Sequence, residues 1–370
     1  CPGCFSRQPT RQQQRGKPGS TFPNIPHHPE SPRTIPAPSG NTCIHMTFAS
    51  PDIARLGGHT MGTTWQVTLV ATPSRDLHPL HAGIQAQLDT VVAQMSTWEA
   101  GSDISRFNAA PAGTALSVPE PFGHVLRAAL DIAAGSGGAF DPTVGPLVAL
   151  WGFGAHAHAR RVPDISLLDA TRARCGWQRL SLQGEQLTQP GGLELDLSAI
   201  AKGFAVDAVS AWLRTQDISA ALVEVGGELY GYGSKPDGQP WRVLVESEPE
   251  ADAAANHPPR VLALNDLAVA TSGDRWHHYA ADGVQYSHTL DPRTGSPVTR
   301  AAAAVTVVAD DAMHADGWAT ALTVMGREQG LAFAGEHNLA ARFVTRTADG
   351  IEEHLSPAFQ RLLDAQQAAA

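Results

Sequence analysis

The chain has 370 residues, room for one large domain or two ordinary ones. Hydrophobic residues make up 42% of it and charged residues 17%, and no apolar run reaches the ~18 to 20 residues of a membrane span, so no spanning helix is expected. With 36 acidic against 26 basic residues the formal charge is −10, which argues against nonspecific nucleic-acid binding.

Residues 1–45 hold nine prolines, five basic side chains and a single acid, Glu30, with no hydrophobic period. That composition predicts a disordered Pro-rich tail and leaves the rest of the chain near −14. Two readings of the start stay open. Cys1 would be the lipid-bearing first residue of a processed lipoprotein, or Met46, the first methionine, would be the initiator. The second is favoured, because Pro2 and Cys4 look unlike a dedicated anchor and no signal-peptide pattern is visible. Three of the four cysteines lie in the tail, so Cys175 is expected to be a small buried residue, with neither a disulfide framework nor a zinc spacing in the chain.

Regular patterning begins at Leu56. A strand is expected over 65–70, then an amphipathic helix over 78–95 carrying Leu80, Ile84, Leu88, Val91 and Met95. A second helix over 122–134 is opened by Pro119 and Pro121 and closed by four small residues. A strand over 193–197 is predicted to run directly into a helix over 199–213. Strands over 220–225 and 228–233 bracket Gly226-Gly227, and Pro236-Asp237-Gly238 turns the chain into a strand over 241–245. Further strands are expected over 261–264, 268–270, 286–290, 303–308 and 342–347, a helix over 311–325, and frayed helix over 361–370. Strands and helices alternate irregularly, which predicts an α+β fold with a mostly antiparallel sheet, in one domain over 46–360.

Only three of the 26 basic residues are lysines: Lys17, Lys202 and Lys235. A lysine kept inside a dense motif of so Arg-biased a chain suggests that a compact ammonium is wanted there. Lys202 follows Asp196-Leu197-Ser198-Ala199-Ile200-Ala201, at a corner where free helix N–H groups could meet a phosphate; a plain connection with Lys202 on a solvated face is the alternative. Neither a Walker loop nor a dinucleotide fingerprint is present. Asp316 and Thr320 share one face of an otherwise apolar helix, where a carboxylate is costly unless paired or bound to a cation; their hard oxygens suit Mg²⁺ or Ca²⁺. The alternative has Asp316 exposed and Thr320 bonded back to its own helix. His288, at the edge of the turn Asp291-Pro292-Arg293-Thr294-Gly295, is a candidate proton acceptor.

Eight segments in this order carry a resemblance: Met61-Gly62-Thr63, Met95-Ser96-Thr97-Trp98, Phe140-Asp141-Pro142-Thr143-Val144-Gly145-Pro146, Asp196 to Gly203, Gly226-Gly227-Glu228, Thr271-Ser272-Gly273, His288 to Gly295 and Asp316 to Thr320. Together they resemble the ApbE family of FAD:protein FMN transferases, across about residues 56–343. The resemblance implies an ApbE-like fold with an FAD site in a central cleft, and transfer of FMN to a Thr or Ser hydroxyl of an acceptor protein with release of AMP. It implies FAD contacts from Met61, Trp98, Ala139, Phe140, Asp141, Asp196, Lys202 and Leu290. A Mg²⁺ (or Mn²⁺) ion would take Asp316, Thr320, Ala199 and Ala319, with Asp316 and His288 serving catalysis. Trp98 stands where the family usually has Tyr, and Arg275 intervenes before Trp276 where an aromatic commonly follows the Thr-Ser-Gly-Asp turn. By resemblance the protein would work at the periplasmic face of the inner membrane through a lipid anchor; from Met46 it would be cytoplasmic. FAD hydrolysis to FMN and AMP, or flavin binding without turnover, are the competing activities.

Overall fold

The computed structural model describes residues 45–50, 52–157, 160–245, 260–273, 278–281, 284–298, 304–347 and 350–368. The expected tail, apart from His45, lies outside the described residues, as do Asp274, Arg275 and Trp276.

Nine strands form one sheet: β1 (His45–Ser50), β2 (Ile53–Thr60), β3 (Thr63–Val70), β4 (Ala221–Val225), β5 (Glu228–Tyr232), β6 (Leu267–Gly273), β7 (Ala304–Ala309), β8 (Ala340–Thr347) and β9 (Gly350–Leu355). Their spatial order is their chain order, and every neighbouring pair is antiparallel. The helices are α1 (His78–Met95), α2 (Asp103–Ala109), α3 (Glu120–Gly135), α4 (Gly145–Leu150), α5 (Ile165–Arg172), α6 (Ala201–Thr215), α7 (Ala312–Glu336) and α8 (Pro357–Ala368). The first six are inserted between β3 and β4 and α7 between β7 and β8, so the sheet is a meander and most of the helical layer is one long excursion from it.

Strand alternation feeds two cores. Val223, Val225, Ala268 and Ala270 face α6 and α7, in one core with Ile84, Leu88, Val206, Val209 and Leu322. Their neighbours Leu222 and Val269 point the other way, against Trp241, Leu262 and the α8 side chains Phe359 and Leu363. Residues 361–368, expected to fray, are therefore held as helix by that second core.

Several expectations shift for local reasons. Residues 193–197 are extended but join no sheet. Side-chain amides take the place of a ladder: Asn108 Nδ2 donates to the Leu195 carbonyl (2.9 Å), its Oδ1 accepts from Leu195 N–H (2.7 Å), and Gln189 Nε2 donates to the Leu193 carbonyl (3.0 Å). The strand expected over 286–290 is divided, Val284–Ser287 pairing with His278–Ala281 and Leu290–Asp291 with Ser296–Pro297. In α7 the helix expected over 311–325 stops on time, because Gly326 takes φ 75° and ψ 172°; a second helical segment then continues to Glu336.

Candidate functional site

The chemistry gathers where α6 and α7 cross. A Cβ on Gly203 would lie 2.1 Å from the Ala312 carbonyl oxygen and 2.8 Å from Met313 Cα, so only glycine lets the two backbones approach this closely. Asp207, one turn on in α6, caps the start of α7 by accepting from Ala312 N–H (2.8 Å) and Met313 N–H (2.9 Å). Burial pushes the Asp207 carboxyl up to about 7, against the pull of those two N–H groups. The crossing presents Asp316 to α6, where its Oδ2 accepts from Gly203 N–H at 3.1 Å.

Asp316 is 5% exposed, so the alternative that places it on a solvated face is excluded. Lys202 Nζ lies 4.0 Å from its Oδ1 and forms an ion pair with Oε1 of Glu228, the first residue of β5. Burial raises the Asp316 carboxyl, partly offset by Lys202 and the Gly203 N–H. Burial also pushes Glu228 upward, with Lys202 pulling it down and Asp316 adding to the rise. For Lys202 burial acts to lower the ammonium, but the two carboxylates outweigh it and hold it above its usual range. One ammonium thus faces two buried acids. The arrangement is short of positive charge, as a cation-binding site would be.

The oxygens expected to hold a cation are unequal. Among the described residues Asp316 Oδ1 and Thr320 Oγ1 make no hydrogen bond; it is Thr323, not Thr320, that bonds back along the helix, to the Ala319 carbonyl at 2.8 Å. The Gly203 N–H, which would ordinarily return to the Ala199 carbonyl, goes to Asp316 instead, leaving the Ala199 carbonyl with no donor among the described residues. Three hard oxygens are therefore open and the Ala319 carbonyl is already engaged. Among the described residues no group of three His, Cys, Asp or Glu side chains is placed to hold a metal. A single carboxylate with neutral oxygens suits a Mg²⁺-like ion that completes its shell with substrate phosphates, so the residues present fit.

A second group of expected residues surrounds an aromatic cluster of Leu147, Trp151, Tyr279 and Leu290, with Phe153 and Tyr286 packed on it. Asp141 Oδ1 accepts from Thr143 N–H (2.8 Å) and its hydroxyl (2.7 Å), closing the 139–146 turn; burial raises its carboxyl and these bonds lower it. Asp196 is tied to that turn by its N–H on the Pro142 carbonyl (2.8 Å), and Gly145 is packed so tightly that a Cβ would lie 2.9 Å from the Glu194 carbonyl oxygen. Ala139 and Phe140 are buried, Leu290 is 6% exposed, and Trp151 Nε1 anchors the next turn through the Gly295 carbonyl at 2.8 Å. His288 is half-buried, its ring edge-on to Phe153 with centroids 6.4 Å apart. A small pocket lined by Thr97, Asn108, Phe153, His156 and Asp196 opens beside them. Trp98, at its rim in sequence, is 65% exposed.

Met61 takes φ 49° in the β2–β3 turn; the following Thr63 abuts Gly226, whose own added Cβ would also meet Lys202 Cδ at 3.3 Å. Met61, Lys202 and Asp316 thus belong to one end of the arrangement, and Ala139, Phe140, Asp141, Leu290 and His288 to the other. The seven residues from Asp196 to Lys202 bridge them. Sequence reasoning gave Glu228, Asn108 and Asp207 no role. Glu228 had a usable signal, an acid at an inward-facing strand position directly after Gly-Gly. Cys175 is half-buried with its thiol pushed up to about 12 by burial, an unreactive state.

Residues 61–343 match the ApbE family. The FAD:protein FMN transferase of Vibrio cholerae serotype O1 is 39% identical over 310 residues, covering 83% of this chain and 92% of that protein. The apo structure of the Pseudomonas stutzeri flavinyl transferase ApbE superposes with a TM-score of 0.78 at 38% identity, over 85% of this chain and 98% of that one. The Vibrio cholerae flavin transferase ApbE structure gives 0.76 at 37% identity, over 86% and 99%.

Proposed function

Because the chain belongs to the ApbE family, we propose that it transfers FMN from FAD to a Thr or Ser hydroxyl of an acceptor protein. The acceptor oxygen attacks the flavin-side phosphorus, the P–O–P bridge breaks, AMP departs, and the hydroxyl proton passes to a base, for which His288 is the candidate. The observation that carries this reading is Asp316: a buried carboxylate with one oxygen fixed by the Gly203 N–H and the other open toward Lys202.

Asp316 Oδ1, Thr320 Oγ1 and the Ala199 carbonyl would hold a divalent cation, Mg²⁺ or Mn²⁺, with the Ala319 carbonyl the weakest of the expected donors because Thr323 already occupies it. When bound, such an ion neutralises charge on the pyrophosphate oxygens. The chain's own residues supply the rest. Lys202 places a compact ammonium beside the same oxygens. Asp196 and Asp141, fixed by local turn bonds, offer rigid polar contacts. The exposed indole of Trp98 offers a stacking surface for a flavin or adenine ring. Phosphoryl transfer needs charge neutralisation and alignment more than covalent participation, which suits a site with no activated nucleophile of its own.

The test is intact-mass spectrometry of a candidate acceptor co-expressed with this protein, with AMP measured in parallel in vitro. Covalent FMN on the acceptor, lost with Asp316→Ala, supports transfer. AMP release that is indifferent to the acceptor and leaves it unmodified indicates hydrolysis; FAD binding without AMP indicates a carrier.

A further inference from the structure

Glu228 is 2% exposed and opens β5 immediately after the Gly226-Gly227 turn. Its Oε1 forms the ion pair with Lys202, while its buried Oε2 has no hydrogen-bond partner among the described residues. A buried carboxylate using one oxygen on a lysine and leaving the other unmet is a poor choice for stability alone. Its consequence for the lysine is definite. The Lys202 stem lies across the turn, its Cδ 3.3 Å from where a Cβ on Gly226 would sit, so Gly226 gives it a bed. From there the ammonium has two acids in reach and goes to Glu228, stopping 4.0 Å short of Asp316 Oδ1, beyond hydrogen-bonding distance.

We propose that Glu228 is a positioning residue that draws the Lys202 ammonium away from Asp316, keeping Asp316 Oδ1 open for a divalent cation while leaving the ammonium beside it to face phosphate. Asp316 Oδ2 is already committed to the Gly203 N–H, so Oδ1 is the oxygen at stake. Without the Glu228 charge the ammonium has a single acid to pair with, and a direct Lys202–Asp316 bridge would occupy the oxygen that the cation requires and cancel its charge. This assignment rests on the cation reading of the site given above.

The test uses the whole chain and Mn²⁺ alone, without FAD, with bound ion counted by electron paramagnetic resonance. Glu228→Gln keeps shape and removes charge; it should weaken Mn²⁺ binding by about 10- to 100-fold, the range found when a group supporting a metal ligand is lost. Glu228→Asp, which restores the charge, should recover most of that loss. Lys202→Met in the Glu228→Gln background removes the competitor and should return Mn²⁺ affinity to at least the wild-type level, an outcome that neither a ligating nor a merely structural Glu228 would give. Wild-type affinity in Glu228→Gln overturns the proposal, as does a double variant as weak as Glu228→Gln. Should either glutamate variant fail to fold, Lys202→Met alone decides: it should bind Mn²⁺ no more weakly than wild type, and weaker binding overturns the proposal. Mn²⁺ binding that survives Asp316→Ala refutes the cation reading itself, and is distinguishable from all of these.

Discussion

Gly203→Ala tests the helix crossing on which the site depends. The new methyl would sit 2.1 Å from the Ala312 carbonyl oxygen, 2.6 Å from its carbon and 2.8 Å from Met313 Cα. All three are backbone atoms, so no side chain can swing aside; α6 and α7 must part by more than 1 Å to reach ordinary contact near ~3.4 Å. Overpacking of this kind costs about 1–3 kcal/mol. Parting the helices also lengthens the 3.1 Å bond from Gly203 N–H to the Asp316 carboxylate, and losing a hydrogen bond to a charged group costs roughly 1.5–3 kcal/mol. Alanine's better helix propensity returns about 1 kcal/mol. The net expectation is a destabilisation of about 1.5–5 kcal/mol from these magnitudes. Urea unfolding followed by far-UV circular dichroism measures it, with Gly101→Ala as control, since a Cβ there meets nothing within 4 Å. Mn²⁺ affinity should fall in the same variant, because Asp316 loses its anchor. A Gly203→Ala protein as stable as the control and with undiminished Mn²⁺ affinity would show that the crossing is not what positions the carboxylate.

Other consequences are measurable separately. Thr320→Val keeps volume and breaks no hydrogen bond, so stability should change by less than about 0.5 kcal/mol while the Mn²⁺ concentration for half-maximal AMP release rises about tenfold or more. Asn108→Ala removes both bonds that hold Leu195 and should cost about 1–3 kcal/mol, together with weaker FAD binding through Asp196, read by flavin fluorescence. Trp98→Ala removes an exposed ring, so the melting curve should hardly move while KM for FAD rises about 2- to 12-fold, the worth of an aromatic stack.

The parts of the fold that were legible are those with a period. The helix over 78–95 and the strand over 261–264 match expectation to the residue, because apolar side chains repeat every three to four positions in one and Pro258-Pro259 and Asn265-Asp266 bound the other. The segment 193–197 alternates apolar residues yet pairs with side-chain amides, those of the nearby Gln189 and of Asn108, 87 residues away from Leu195, which no local pattern announces. The strand over 181–183 and the edge strand β9 were too short or too polar to stand out. At the site, Asp316 was legible because a carboxylate on an apolar helical face demands an explanation, and Lys202 because lysine is rare in this chain. Glu228 was hidden in plain view as the third letter of a turn motif. Its importance depends on which way β5 faces, and on a lysine 26 residues earlier that only the tertiary fold brings within reach.

The central claim is that Asp316 Oδ1, open beside Lys202, holds the cation that meets the FAD pyrophosphate. The most direct measurement is an anomalous-difference map from crystals soaked with Mn²⁺ and FAD. A peak bonded to Asp316 Oδ1 and Thr320 Oγ1, with pyrophosphate oxygens completing its shell and Lys202 still on Glu228, is the predicted result. A Mn²⁺ ion bound elsewhere, with Lys202 bridged directly to Asp316, would contradict it.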